Sequence, residues 1–503
     1  MTIILPARSL TNATTLLQQV WGYPSFRSNQ AAIVSTLIEG RDAMVVMPTG
    51  GGKSLCFQVP ALVRSGLTIV ISPLLALMEN QVQDLKKRGI NAACLHSQQA
   101  RPEYKAILQE LTQHKLKLLY VSPETLLSPQ VWQRLLDPRL TIGLLVLDEA
   151  HCLTAWGDSF RPAYFRLGPV RQALLKAKPP GSHFPVAAFT ATADPETTKS
   201  IAQILHLQNP VSFCDEPYRP NLQLKIQRTY TRRDRRKKLL KALQHQGKTS
   251  GLIYVRSREE SEELAQWLQC RGYRTSAYHA GMSPSYRRRV EQDWLTGIQQ
   301  FCVCTNAFGM GIDHPSVRWV FHYHLPNALS EYLQEIGRAG RDGKPAYAMA
   351  LASERTGWID SDDRDRWRFF QTQAHQLQIA AAQLVKTLPS QGEMARLLQK
   401  HQRNGIALAL LQRAGLVTWS DPFNYKVAPK AQFRPQKPKL EMPKYLNHRG
   451  CRWGYLRSQF GFADVADCGH CDRCCPPLRT EARSTSRYSP LSPAGAILPS
   501  LSR

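Results

Sequence analysis

The chain has 503 residues, of which 65 are Lys or Arg and 38 are Asp or Glu, leaving a formal charge of +27 at pH 7. That length exceeds what a single hydrophobic core supports and points to three or four domains, at about 150 residues each. No charged stretch followed by a clean apolar run opens the chain, and the run Thr68 to Met78 is short and broken by Ser72-Pro73, so neither secretion nor membrane spanning is expected.

The charge excess favours a polyanionic partner, because displacing counterions from phosphates supplies affinity without sequence preference. Seven of the 12 cysteines, among them Cys56, Cys94, Cys270, Cys302 and Cys304, are scattered through the first 304 residues, mostly in apolar stretches. That is the usage of reduced core thiols, and the expected location is cytoplasmic and nucleoid-associated.

In chain order, Tyr23, Phe26-Arg27 and Gln30 read on their own as a helix start. The apolar run Ala43 to Met47 then predicts a buried strand that leads into Pro48-Thr49-Gly50-Gly51-Gly52-Lys53-Ser54 and a helix over Leu55 to Leu62. Glycines at Gly50, Gly51 and Gly52 let backbone N–H groups close around phosphates, Lys53 reaches the β and γ oxygens of ATP, and the Ser54 hydroxyl ligates Mg²⁺. Met47 stands where the usual G-x-x-x-x-G-K-[ST] pattern has its first glycine, so the match is to a shorter form.

Further strands are predicted at Thr68 to Ser72, Lys117 to Val121, Leu144 to Leu147 and Val186 to Thr190, alternating with helices. This is the pattern of a doubly wound α/β lobe, assigned to residues 1–215. The run ending at Leu147 delivers Asp148 and Glu149 to the carboxyl edge of a parallel sheet, where Asp148 would hold Mg²⁺ and Glu149 would orient and deprotonate the attacking water. A second lobe of the same architecture is expected over residues 216–355, with strands near Gly251 to Val255, Thr275 to Tyr278, Gln300 to Cys304 and Trp319 to His324. In its last part, Gln334 to Gly343, Arg338 and Arg341 are three residues apart and would lie on one side of a helix if the segment is helical. From the facing lobe one of them could touch the γ-phosphate and make hydrolysis depend on lobe closure.

Residues 356–442 carry helical runs at Arg364 to Thr387, Gln391 to Lys400 and Gly405 to Ala414, followed by strands at Leu416 to Trp419 and Tyr425 to Ala428. These predict a small winged-helix insertion with Gly405 to Ala414 as the helix offered to DNA and Asp421 to Lys426 as the wing tip. A helical spacer is the alternative. In residues 443–476, Cys451, Cys468, Cys471 and Cys474 are spaced by sixteen, two and two residues, which suits four thiolates converging on Zn²⁺ in a closed, structural site. Cys475 could replace Cys474. Residues 477–503, rich in Ser, Pro and Arg, predict a disordered basic tail.

These motifs, in this order, resemble those of the RecQ family of DNA helicases in helicase superfamily 2, over about Gln18 to Ala350 and again over Cys451 to Cys474. The resemblance implies two RecA-like lobes, ATP and Mg²⁺ as cofactors, a zinc module, and single-stranded and branched DNA as partners. It assigns adenine recognition to Gln30, with Tyr23 and Arg27 flanking the base, and places Thr49 and Gln334 at the nucleotide. It likens Trp156, Phe160 and Arg161 to an aromatic-rich loop that senses single-stranded DNA, and Thr190 and Thr192 to a block that lines the DNA track or relays nucleotide state. Asp158 departs from the pattern, since the family commonly has histidine there, and an acid beside phosphates would weaken coupling. The winged helix and helical DNA-binding domain that follow zinc in many relatives have no room after Cys475. The implied activity is an ATP-dependent helicase moving 3′ to 5′ in repair or recombination. The alternative is a DNA-stimulated ATPase or translocase that anneals or remodels strands and unwinds weakly.

Overall fold

The computed structural model describes residues 7–154, 162–308, 314, 316–400, 404–429, 431–435, 441–462 and 466–475. Lobe one is built on a seven-stranded parallel sheet of β1 (Ala43–Val46), β2 (Leu67–Ile71), β3 (Ala92–Leu95), β4 (Leu118–Val121), β5 (Ile142–Leu147), β6 (Val186–Thr190) and β7 (Val211–Cys214), ordered β3-β4-β2-β5-β6-β1-β7. The central strands are unbroken runs of Val, Ile and Leu because helices cover both faces. Alternate side chains enter opposite cores: Ile69, Ile71, Leu145 and Leu147 pack on one face, Val70, Leu144 and Val146 on the other.

Lobe two repeats the plan with six parallel strands, β8 (Leu222–Thr229), β9 (Gly251–Tyr254), β10 (Thr275–Tyr278), β11 (Phe301–Cys304), β12 (Trp319–His322) and β13 (Ala346–Ser353), ordered β10-β11-β9-β12-β13-β8. Four of these thirteen strands escaped the sequence pattern. Edge strand β3 is weakly β-forming Ala-Ala-Cys-Leu, edge strand β7 is only half buried, and β13 is alanine-rich, a composition that favours helix until burial decides otherwise. The fourth, β8, is an edge strand covered from outside: Asp472 N–H donates to Leu224 O (2.9 Å), the Ile226 N–H donates to the Asp472 carboxylate (3.1 Å) and the Trp453 indole N–H donates to Leu222 O (3.0 Å). The cysteine-bearing segment thus satisfies an edge that would otherwise be open to pairing.

Between the lobes and that segment, the helix Asp362–Thr387 is rooted in lobe two, where the Asp363 carboxylate accepts the Ser353 N–H at 2.7 Å and buried Arg235 pairs with Asp360 at 3.2 Å. There follow β14 (Gln391–Glu393), the helices Met394–Lys400 and Asn404–Arg413, β15 (Val417–Trp419) and β16 (Asn424–Val427), with the strands in one antiparallel sheet, β14-β16-β15. This is the element order of a winged helix. The expected helix Gln391 to Lys400 is instead a strand and then a helix, because Gln391–Glu393 pairs with Lys426–Asn424 and Gly392 lies against Tyr425.

The helix Asn404–Arg413 is not offered to DNA. Ala407 to Leu411 are buried, and Ala409 joins the core of lobe one. The Gln412 amide donates to Phe165 O at 3.1 Å, Arg166 Nε donates to Pro422 O at 2.6 Å, and the Phe423 ring packs edge-on against Trp132 (centroids 5.6 Å apart) beneath the Arg166 guanidinium (5.4 Å). With Arg413 its only basic residue, this helix has little with which to meet phosphates and an apolar face that must be covered. Its wing tip docks with it on lobe one. Phe423→Ala is expected to lower stability by about 1–3 kcal/mol and raise amide exchange in both Asn404–Arg413 and Pro162–Arg166. Hydrogen–deuterium exchange unchanged at Pro162–Arg166 would show that this docking does not exist in solution.

Candidate nucleotide site and cysteine cluster

The phosphate loop turns between β1 and the helix Lys53–Val63, and Gly50 (φ +85°) and Gly52 (φ +79°) take left-handed conformations that side chains resist. At Gly51 a Cβ would come within 2.6 Å of Met47 Cγ, which explains a glycine where φ does not demand one. Lys53 folds back, its Nζ donating to Met47 O at 3.3 Å, at the positive end of the helix. Gln30 is buried: its Oε1 accepts the Arg27 N–H (2.9 Å) and its Nε2 donates to Gly51 O (2.9 Å). The family resemblance assigns Gln30 to adenine; in the structure its amide is tied to the phosphate loop. Tyr23 is exposed nearby in sequence.

The acid pair lies past the end of β5. Asp148 N–H donates to Ile71 O at 2.8 Å, and its carboxylate accepts the Glu149 N–H at 3.0 Å. Glu149 sits at φ +51°, a conformation that costs about 1–3 kcal/mol for a non-glycine residue and turns its carboxylate back into the site. Burial, then the charge of Glu149, pushes Asp148 up to about 7. Burial opposes ionisation of Glu149 too, but the hydrogen-bonded His151 and then Lys53 outweigh it and hold Glu149 at about 2. Asp148 is therefore the group that a cation would most stabilise. Of the two carboxyls, Glu149 is the one that its neighbours His151 and Lys53 draw toward the ionised form.

His151 was not singled out from the sequence, yet it joins the parts. Its Nδ1 lies 3.3 Å from the Glu149 carboxylate and 3.1 Å from Thr190 Oγ1, and its Nε2 lies 3.3 Å from the Gln334 amide nitrogen of lobe two. Thr190 in turn donates to Thr192 O (3.2 Å), and both threonines are buried. Thr190 meets His151 beside the acid pair, and Thr192 lines the cleft between the lobes with Pro48, Thr49, Gln334 and Gly337.

Across that cleft the helix Leu329–Ile336 ends before Arg338 and Arg341, so the two arginines do not share a helical face. Gly340 at φ +63° turns the chain and separates them. Arg338 is buried on the lobe-two side, beside Tyr254 and within range of the Glu149 charge. Arg341 lies over the phosphate loop, its Cγ 3.7 Å from where a Cβ on Gly50 would stand. Thr49 Oγ1 donates to Gly337 O at 3.2 Å, closing the seam.

A second set absent from the sequence reading holds this turn. Arg256 donates to both Glu335 oxygens (2.9 and 2.7 Å), and His322 Nε2 lies 2.8 Å from the same carboxylate. Burial works against the charged carboxyl, but Arg256 and then His322 hold Glu335 down at about 2. Only the fold brings these three together from β12, the end of β9 and the helix Leu329–Ile336.

Cys451, Cys468, Cys471 and Cys474 form one cluster with all four Sγ atoms within 4.8 Å of one another. The 468–474, 451–471 and 471–474 separations are 3.8, 4.0 and 3.5 Å, close to the roughly 3.8 Å edge of a tetrahedron with 2.3 Å metal–sulfur bonds. Backbone N–H groups of Arg452, Gly454, Cys468 and His470 point at these sulfurs, as suits thiolates. The donor set fits Zn²⁺. Cys475 turns away to donate to Gly469 O at 2.7 Å, so Cys474 and not Cys475 completes the four. Trp156, Phe160, Arg161 and Asp158 lie outside the described residues.

Residues 27–201 match the DEAD/DEAH box helicase family, and residues 234–343 match the helicase conserved C-terminal domain. The chain is 48% identical over 472 residues to the ATP-dependent DNA helicase RecQ of Synechocystis sp., covering 91% of this chain and 97% of that protein. It belongs to the RecQ family of ATP-dependent DNA helicases. RecQ of Haemophilus influenzae is 42% identical over 337 residues, 67% of this chain and 52% of its own length. Bacillus subtilis probable ATP-dependent DNA helicase RecS is 39% identical over 345 residues, 68% of this chain and 67% of its own. Among solved structures, S. cerevisiae Dbp5 bound to RNA and ADP BeF3 superposes with a TM-score of 0.56 at 18% identity, covering 72% of this chain and 93% of that one. At that identity it shares the two-lobed fold. Among the described residues no helix is long and apolar enough to cross a membrane.

Arg256→Ala leaves the buried Glu335 with His322 as its remaining partner and is expected to cost about 3 kcal/mol of stability, read as a lowered thermal midpoint. Because the folded-state value of Glu335 is depressed from 4.5, the stabilisation is full above about pH 4.5 and fades as pH falls toward 2. The gap between wild type and Arg256→Ala should narrow over that window.

Proposed function

We propose that this helicase translocates 3′ to 5′ along single-stranded DNA and unwinds duplex in repair or recombination. The observation that carries the reading is the seam in which Gln334, Gly337 and Arg341 of lobe two meet His151, Thr49 and Gly50 of lobe one, so that nucleotide and lobe spacing are sensed together. Lys53 and the glycines would bind the phosphates of ATP, and Glu149 would orient the attacking water. Arg341 and Arg338 would stabilise charge developing on the transferred phosphoryl group. Tyr23, Arg27 and Gln30 would flank adenine, with Gln30 exchanging its bond to Gly51 for one to the base.

Ser54 and Asp148 would hold Mg²⁺, which supplies charge neutralisation at the phosphates. The four cysteines would hold a structural Zn²⁺ that braces the segment covering β8. Trp156, Phe160 and Arg161 would sense single-stranded DNA, with Thr190 and Thr192 relaying its presence through His151. The work is placed in the cytoplasm at the nucleoid, on single-stranded and branched DNA.

One observation favours the second reading, a DNA-stimulated translocase that anneals or remodels strands and unwinds weakly. The insertion's helix Asn404–Arg413 and wing tip are spent on docking to lobe one and cannot split a duplex from there.

The deciding measurement is steady-state ATPase with and without single-stranded DNA, alongside unwinding of a 3′-tailed duplex. Lys53→Ala should abolish both activities while keeping the fold. Stimulated turnover without strand separation would select the translocase, and turnover indifferent to DNA would sink both readings. Metal analysis should find one zinc per chain in wild type and Cys475→Ala, and its loss in Cys468→Ala together with a lower thermal midpoint.

A further inference from the structure

At the carboxyl end of β8 and β13, on the rim of lobe two, a loop presents Trp358 with 87% of its surface exposed and Ile359 with 65%. Exposed apolar residues are common, but this loop is built and not loose. The Glu354 carboxylate accepts the Thr356 N–H (2.6 Å), the Thr356 hydroxyl (2.7 Å) and the Ile359 N–H (3.1 Å). Gly357 takes φ +65° beside the Arg364 side chain. Both ends are pinned to Thr229: Glu354 N–H donates to its carbonyl (2.9 Å), and its hydroxyl donates to Asp360 (3.1 Å). The next residue after Thr229 is Tyr230, a second exposed aromatic at 51%.

The cations around this end divide into two sets. On the helix Arg232–Gln246, Arg232 and Arg236 pair with Glu263, Arg235 with Asp360, and Lys238 with Asp234. Arg233, Lys237 and Lys241, at i, i+4 and i+8 on one exposed face, carry no ion pair among the described residues, and neither does Arg355 in the Trp358 loop. Two aromatics held out to water beside a stripe of unneutralised cations suit a flexible polyanion with flat apolar groups. An apolar protein surface would leave those cations buried and unpaired.

We propose that this end of lobe two is a second contact surface for single-stranded DNA, with a base stacked on Trp358 and phosphates tracked by Arg355, Arg233, Lys237 and Lys241. It lies apart from the nucleotide cleft and uses no residue assigned to ATP chemistry. Rigidity of the Trp358 loop means that little conformational freedom is lost on stacking. The inference rests on the reading of the chain as a DNA-tracking enzyme.

Fluorescence anisotropy of labelled oligo-dT with the full-length protein tests it. Trp358→Ala should weaken binding about tenfold, Trp358→Phe should retain most of it, and the thermal midpoint and DNA-free ATPase of Trp358→Ala should equal those of wild type. Replacing Arg233, Lys237 and Lys241 together by Ala should reduce the slope of log affinity against log salt by roughly two. Wild-type binding with an unchanged Trp358→Ala overturns this surface and leaves the helicase reading intact, whereas wild type that binds no oligo-dT sinks both. A loss confined to oligo-U overturns DNA as the occupant.

Discussion

The seam between the phosphate loop and the turn Gly337–Arg341 is the contact on which the rest of this molecule depends. It exists because a glycine on each side, Gly50 and Gly337, leaves room for a side chain of the other lobe, Arg341 and Thr49. A Cβ on Gly337 would stand 2.8 Å from both Thr49 Oγ1 and Leu333 O, and Gly50 leaves its outer surface open to Arg341. Separating the lobes would break Thr49–Gly337 and Gln334–His151 together and withdraw Arg341 from the phosphates' position. Site geometry and lobe spacing are therefore one coordinate, which is what an engine driven by hydrolysis needs.

Each side of that seam is held by a buried ion pair. In lobe one, Asp42, just before β1, accepts two bonds from Arg171 (2.8 and 2.7 Å) and the N–H groups of Val186 (2.8 Å) and Gln208 (2.6 Å), fixing the strand that feeds the phosphate loop. In lobe two, Arg256, His322 and Glu335 do the same for the helix that feeds the arginines. Such pairs add little net stability over apolar packing, but the price of breaking one is high. Their placement just before the phosphate loop and the arginine turn makes specification of geometry their role.

The rear of the chain is tied to both lobes. The cysteine cluster covers the open edge of lobe two, while the winged-helix insertion is rooted in lobe two and rests its helix and wing on lobe one beside Trp132 and Phe165. An element usually associated with groove reading here serves as a brace. The exposed Trp358 lies at the insertion's root, where its loop runs into the helix Asp362–Thr387.

What the sequence determined by itself was whatever is written locally. The phosphate loop, the acid pair at a strand end, the spacing of four cysteines and the last two strands of the insertion follow from neighbours along the chain, because glycine conformation, ligand spacing and apolar periodicity are short-range properties. Arg338 and Arg341 are legible as a pair, but the shared helical face that their spacing allows does not form, because the helix stops at Ile336 and Gly340 then turns the chain between them. The tertiary structure alone decided that His151 links the acids to Gln334, that Glu335 is charged and held by Arg256 and His322, that Cys474 and not Cys475 joins the cluster, and that the helix Asn404–Arg413 faces lobe one. Each of these depends on burial and on partners brought from distant strands, and desolvation and close packing are set only when the chain has closed around them.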